Sequence, residues 1–272
     1  MYGATRLLAV RAFGWLREPD QAELTNWDPT TAQNDPKLNG EQRAEAALIV
    51  ASRRAADQVR ATGGDWVERH FDALLAALPP HRATQYARQH LIRAALDAPP
   101  ARAIPSLREL YPEDPAVAGC IQALEAIGRP CELAFTAFNG RAFDLRALRG
   151  QVVMVIFWSG GGGSSDRLMP PLLELARRPG LENLSLVGVS FDRRREVLQE
   201  AIDRYGLTWP IAFDGQGWTG AIASRFLIKV LPGYLLIDRQ GVLRFRGSGS
   251  IVENASRQLA ALLAEPPPPA AP

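Results

Sequence analysis

The chain has 272 residues, 47% of them apolar, enough for one large buried core or two modest ones. Its 31 Lys and Arg are spread along the chain against 29 Asp and Glu, and the formal charge of +2 leaves no electrostatic case for nucleic acid, so small molecules or proteins are the expected partners. Two cysteines, Cys120 and Cys131, and three dispersed histidines, His70, His81 and His90, build neither a disulfide framework nor a zinc cluster, so no cofactor or metal is expected.

The opening "MYGATRLLAVRAFGWLREPD" breaks its apolar run at Arg11, which is poor for a signal peptide and on that ground predicts a cytoplasmic chain. No later stretch is long enough to span a bilayer. Residues 1–40 read as irregular, with one short helix near Leu7 to Leu16. From Glu41 the composition turns to Ala, Arg and Leu, and a helical stripe through Ala44, Leu48, Ala51, Ala55 and Val59 ends at Gly63-Gly64. A second helix runs from Trp66 to Leu78, and a third from His81 to Asp97 stops at Pro99-Pro100. After a Pro-punctuated connection, Pro115 opens a fourth with Val117, Cys120, Ile121, Leu124 and Ile127 on one face. These helices make an all-α module over 41–129.

At Cys131 the period changes to two. Cys131, Leu133, Phe135 and Ala137 alternate with Glu132, Ala134 and Thr136, and "FNGRAFDL" supplies an Asn-Gly hairpin turn. Buried strands follow at Val152–Trp158, Leu184–Phe191, Tyr234–Ile237 and Val242–Phe245, separated by helices near 166–178, 194–205 and 217–225, with a last helix near 252–264. That alternation predicts an α/β domain over 130–264, a mixed sheet with helices on both faces. The tail "EPPPPAAP", 265–272, reads as disordered or extended.

From Pro130 to Gly247 the blocks "ELAFTAFNGRAFDLRALRGQVVMVIFW", "MPPLLELARR" and "FLIKVLPGYLLIDRQGVLRFRG" stand in one order. In that order the segment resembles the thioredoxin-like domain of the TlpA/ResA-type thiol-disulfide oxidoreductases, related to the AhpC/TSA redoxins. The resemblance implies a CxxC dithiol four residues before Met169-Pro170. Aligned without a gap from Phe157-Trp158, the two cysteine positions fall on Gly162 and Ser165, with Gly163-Ser164 between them and Leu168 where the family commonly carries a glutamate. Gly162 has no side chain to attack with, and a serine hydroxyl is far too weak an acid to replace a thiolate. The expected outcome is a redox-inactive binding or scaffold protein; the alternative is an oxidoreductase working by an unrecognised or partner-assisted route.

The resemblance also implies a cis peptide bond at Leu231-Pro232, facing the former dithiol. There an extended peptide or protein partner pairs with the backbone, so Trp158, Ser164, Ser165, Leu231 and Pro232 are the candidate binding residues. It further implies an exported or periplasmic relative, against the cytoplasmic reading of the N-terminus. The loop "SGGGGSS" admits two uses, capping of the next helix by Ser164 or Ser165 and anion binding with Arg167 nearby; the lysine of a nucleotide P-loop is missing. Cys120 and Cys131 read as small apolar residues, with a structural disulfide or a relocated redox pair as the other readings. Asp192 reads as a helix cap, Arg193 to Arg195 as a solvated face, and Trp209 and Trp218 as packing.

Overall fold

The computed structural model describes Pro36, Arg43 and residues 85–161, 163–178, 181–248 and 251–266. The helices expected near 7–16 and 66–78, that expected over 44–59, and residues 267–272 of the tail lie outside the described residues. The chain divides into two compact units, Met1–Pro112 and Glu113–Pro272. In the first, α1 (Gln85–Asp97) carries the buried Leu91, Ile92 and Ala95. The Pro-rich connection is in fact a helix, α2 (Pro100–Leu110), burying Ala103 and Leu107. Pro100 stands in its first turn, where the missing N–H costs nothing, and only Pro105 removes a bond from inside.

The second unit opens with α3 (Pro115–Glu125). Asp114 caps it, its Oδ1 accepting from the N–H groups of Ala116 (2.9 Å) and Val117 (3.1 Å). A hairpin of β1 (Ala134–Thr136) and β2 (Ala142–Asp144) follows. Its turn uses Gly140 at φ 83, and Asn139 Oδ1 accepts from Arg141 N–H. The strand expected from Cys131 is shorter, beginning at Ala134, and just before it Leu133 O accepts from Leu145 N–H at 2.8 Å.

The central sheet has five strands in the order β5 (Ile211–Ala212), β4 (Leu184–Ser190), β3 (Val152–Trp158), β6 (Gly233–Ile237), β7 (Leu243–Ser248). β3, β4 and β5 run parallel, and β6 and β7 are antiparallel to β3 and to each other respectively. The crossovers are α4 (Gly163–Arg177) and α5 (Arg195–Tyr205); a 3₁₀ turn (Gly217–Thr219) and α6 (Ala221–Arg225) lead back to β6, and α7 (Ile251–Ala264) closes the unit. The helix expected over 217–225 is therefore split, and α4 starts at Gly163, inside the glycine loop.

All seven residues of β3 are buried because helices cover both faces. Val152, Met154, Ile156 and Trp158 join Leu172 of α4, Leu198 of α5 and Leu259 of α7 in one core. Val153, Val155 and Phe157 join Leu133, Leu145, Phe226 and Leu243 in the other. Burying one such side chain stabilises by about 1.5–3 kcal/mol, so this strand anchors the layer that carries the site.

Candidate functional site

The carboxyl end of β3 is where the parallel strands deliver their loops. The register pairs Phe157 with Gly233, so Leu231 and Pro232 run beside the chain leaving Trp158, and the Leu231–Pro232 peptide bond is cis. Leu231 and Pro232 are half-buried, and Trp158 is only 1% exposed, its ring packed in the core under α4 and α5. Of the candidate binding residues, Trp158 therefore offers the loop its main chain; its carbonyl accepts from Phe191 N–H at 2.8 Å. Ser164 and Ser165 lie in the first turn of α4, and Gly162 lies outside the described residues.

The loop is held by a residue the sequence assigns elsewhere. Asp192 does not cap α5: the residue before that helix is Arg194, whose side chain makes no capping bond. The buried Asp192 carboxylate instead turns toward β3. Its Oδ1 accepts from Ser159 Oγ (2.7 Å) and Gly161 N–H (3.2 Å), and its Oδ2 from Gly160 N–H (2.8 Å) and Ser190 Oγ (2.9 Å). Four donors converge on one carboxylate, the arrangement in which a buried anion is tolerated. The loop amides at 160 and 161 are thereby already occupied by an internal anion, which removes them from any external one.

Gly160 also has a packing reason. A Cβ there would lie 2.7 Å from Ala201 Cβ and 3.1 Å from Val197 O, both on α5. The loop thus lies against α5 with Asp192 beneath it, and this glycine is required by contact rather than by turn geometry.

The three arginines after Asp192 are exposed, but Arg195 is also anchored. Its guanidinium lies 4.0 Å from the Phe138 ring centre and donates to Phe138 O at 3.1 Å, tying α5 to the hairpin. Trp209 packs partly buried against the first core, whereas Trp218 is 49% exposed and meets Phe191 edge-on at 4.9 Å, so its packing is one-sided.

Neither cysteine is in this loop. Cys120 sits inside α3 and Cys131 at the head of the hairpin, both buried and not joined by a disulfide. Burial pushes the Cys120 thiol up to about 12 and the Cys131 thiol up to about 11, against 9.0 ordinarily, so both are protonated near neutrality. Among the described residues no three His, Cys, Asp or Glu side chains gather as a metal site, and no helix is long and apolar enough to cross a membrane.

A mixed five-stranded sheet with the parallel strands on one side, helices on both faces and a cis-proline beside the first crossover loop defines a thioredoxin-like domain. Residues 128–246 match the AhpC/TSA family model, a match that supports a TlpA/ResA-type thioredoxin-like assignment for this segment. The chain is similar to the thiol-disulfide oxidoreductase ResA of Halalkalibacterium halodurans, 26% identical over 125 residues, 46% of this chain and 69% of that protein. It is also similar to ResA of Bacillus thuringiensis, 26% identical over 107 residues, 39% of this chain and 60% of that protein. Among solved structures it is similar to the C-terminal domain of a Bacteroides thetaiotaomicron thiol-disulfide oxidoreductase, at 18% identity and a TM-score of 0.45, covering 52% of this chain and 97% of that one. A Bacteroides fragilis thiol-disulfide oxidoreductase gives 22% identity and 0.43, covering 49% and 98%.

Proposed function

We propose that this protein is a redox-inactive member of the TlpA/ResA-type group that acts as a binding or scaffold protein. The observation that carries the reading is the placement of sulfur. The dithiol positions hold Gly162 and Ser165, while the chain's two cysteines are buried in α3 and ahead of β1. Thiol-disulfide exchange needs an accessible thiolate and a second thiol to resolve the mixed disulfide. Here neither thiol is exposed, and burial opposes ionisation of each.

The partner in this reading is a protein segment in extended form, bound across the 159–165 loop and residues 231–233. Main-chain pairing beside Pro232 supplies the affinity, and the Asp192-held loop supplies a fixed wall. The compartment in this reading follows the family resemblance, outside the cytoplasm, and fractionation of the natural host's cells with antibody detection checks it.

The test is insulin-disulfide reduction by the native chain beside the Gly162→Cys/Ser165→Cys double variant. The native chain is expected to give no turnover and the double variant measurable turnover. Clear turnover by the native chain would overturn the reading in favour of an oxidoreductase that acts by another route, the activity for which the ResA relatives are named.

A further inference from the structure

A second concave site lies beside this one and is independent of the reading above. A cleft of about 280 Å³ opens between β1 and the segment 213–220, over the carboxyl ends of β4 and β5. Phe135, Phe191 and Phe213 line it, with Ser190 and Asp214 among its polar groups. Trp218, stacked edge-on against Phe191, stands exposed next to the lining Gly217.

The polar groups are suited to a donor. Asp214 is exposed, its Oδ1 accepting from Gln216 N–H at 2.9 Å, and among the described residues no cation pairs with it. Its Oδ2 lies against Gly220, where any Cβ would collide with it, so glycine at 220 is what lets the carboxylate stay at the wall. The Ser190 hydroxyl donates to Asp192 Oδ2 and accepts from Asp192 N–H at 3.0 Å, so it is engaged within the fold and Asp214 is the group left to meet a donor. Arg193 packs on Gly217 outside the lining, its Nε 3.7 Å from where a Cβ would sit.

We propose that this cleft binds an organic ammonium ligand, a protonated amine carried on an aromatic or similarly sized apolar body. Asp214 would take the ammonium group, and the three phenylalanines would take the body by burial and by the attraction of ring faces for a cation. The volume fits a fragment of one ring and a short amine, near the small end of ligand pockets.

The probe is 2-phenylethylamine, titrated into the full chain and followed by amide chemical shifts and Trp218 emission, with phenylacetate as its anionic counterpart. Saturable shifts at Ser190, Phe213 and Ile222 are expected with the amine and not with phenylacetate. Asp214→Asn is expected to weaken the amine about fivefold, and Arg193→Gln to tighten it about twofold by removing a like charge. In the native chain added salt is expected to weaken the amine, a check that needs no variant. Equal binding of phenylacetate, insensitivity to both salt and Asp214→Asn, or no saturable shift with the amine would overturn the proposal.

Discussion

Two ends of the same sheet are secured by buried ions of opposite sign, each spent on backbone. At the carboxyl end of β3, Asp192 gathers the N–H groups of Gly160 and Gly161 and the hydroxyls of Ser159 and Ser190. At the other end, the buried Arg239 donates Nη1 to Leu262 O (3.1 Å) and to Glu265 O, and Nη2 to Leu263 O (3.1 Å), covering the last carbonyls of α7. A carboxylate suits a loop that offers donors, and a guanidinium suits a helix end that offers acceptors. The difference is in what is held. Asp192 fixes the loop of the candidate site, whereas Arg239 fixes a helix that only packs.

The sharpest way to break the comparison is to delete the anion. Asp192→Ala removes the carboxylate that accepts from two loop amides and two hydroxyls at once, and a loss of about 2–4 kcal/mol in urea unfolding is expected. Hydrogen exchange at 159–161 should rise more than in the sheet. If the loop amides stay protected, the loop is held by its contact with α5 alone. Arg239→Met keeps the stem and removes the donors from three carbonyls at the end of α7, and a smaller cost of about 1.5–2 kcal/mol is expected. Faster exchange confined to the last turn of α7 would mark the loss as local.

The sheet was legible because its signals are local. Val152–Trp158 is an unbroken apolar run, and its observed limits match; the hairpin was marked by Asn139-Gly140. The α2 helix was hidden by Pro99, Pro100 and Pro105, although a proline in the first turn is compatible with a helix. The place of the loop between β3 and α4 was legible, and the bonds that hold it were not. Phe157-Trp158 and Met169-Pro170 located the loop, but the partners of Asp192 at Gly160 and Ser159 are 32 and 33 residues away in sequence. From sequence alone the carboxylate resembled a cap, because the residues after it begin a helix and nothing nearby competes for it. The folded chain offers it loop donors that only strand pairing of β3 with β4 brings within reach.

Buried thiols complete the contrast, since unlike the two ions they are stable only while neutral. Burial raises Cys120 to about 12 and Cys131 to about 11 from 9.0, so between these values the unfolded chain loses a proton that the folded chain keeps. The unfolded state then binds fewer protons, and stability falls as pH rises. The thiol contribution is fully present below pH 9 and is lost through the folded values, with a limiting slope of about 1.4 kcal/mol per pH unit for each thiol. Urea midpoints at pH 8.5 and 10.5, for the native chain and for Cys120→Ala/Cys131→Ala, should separate this term: the double variant is expected to fall less. An equal fall would assign the pH dependence to other groups.

The smallest expected effect tests whether charge matters at the α7 end without burial. Arg244 Nη1 reaches Asp238 Oδ2 at 3.0 Å, and its Nη2 reaches Glu265 Oε1 at 3.0 Å, but its side chain is 40% exposed. Asp238 has other work, its Oδ1 accepting from Gln240 and Val242 N–H at 2.9 Å in the β6–β7 turn, so losing Arg244 leaves it bonded. Water can solvate Glu265, whose side chain is 42% exposed, and the buried Asp238 keeps its Oδ1 bonds, so Arg244→Ala is expected to cost about 1 kcal/mol and less still at high salt. A double-mutant cycle with Glu265→Ala reads the pair directly. A coupling as large as the loss at Arg239 would mean that this exposed network, and not the buried guanidinium, holds the end of α7.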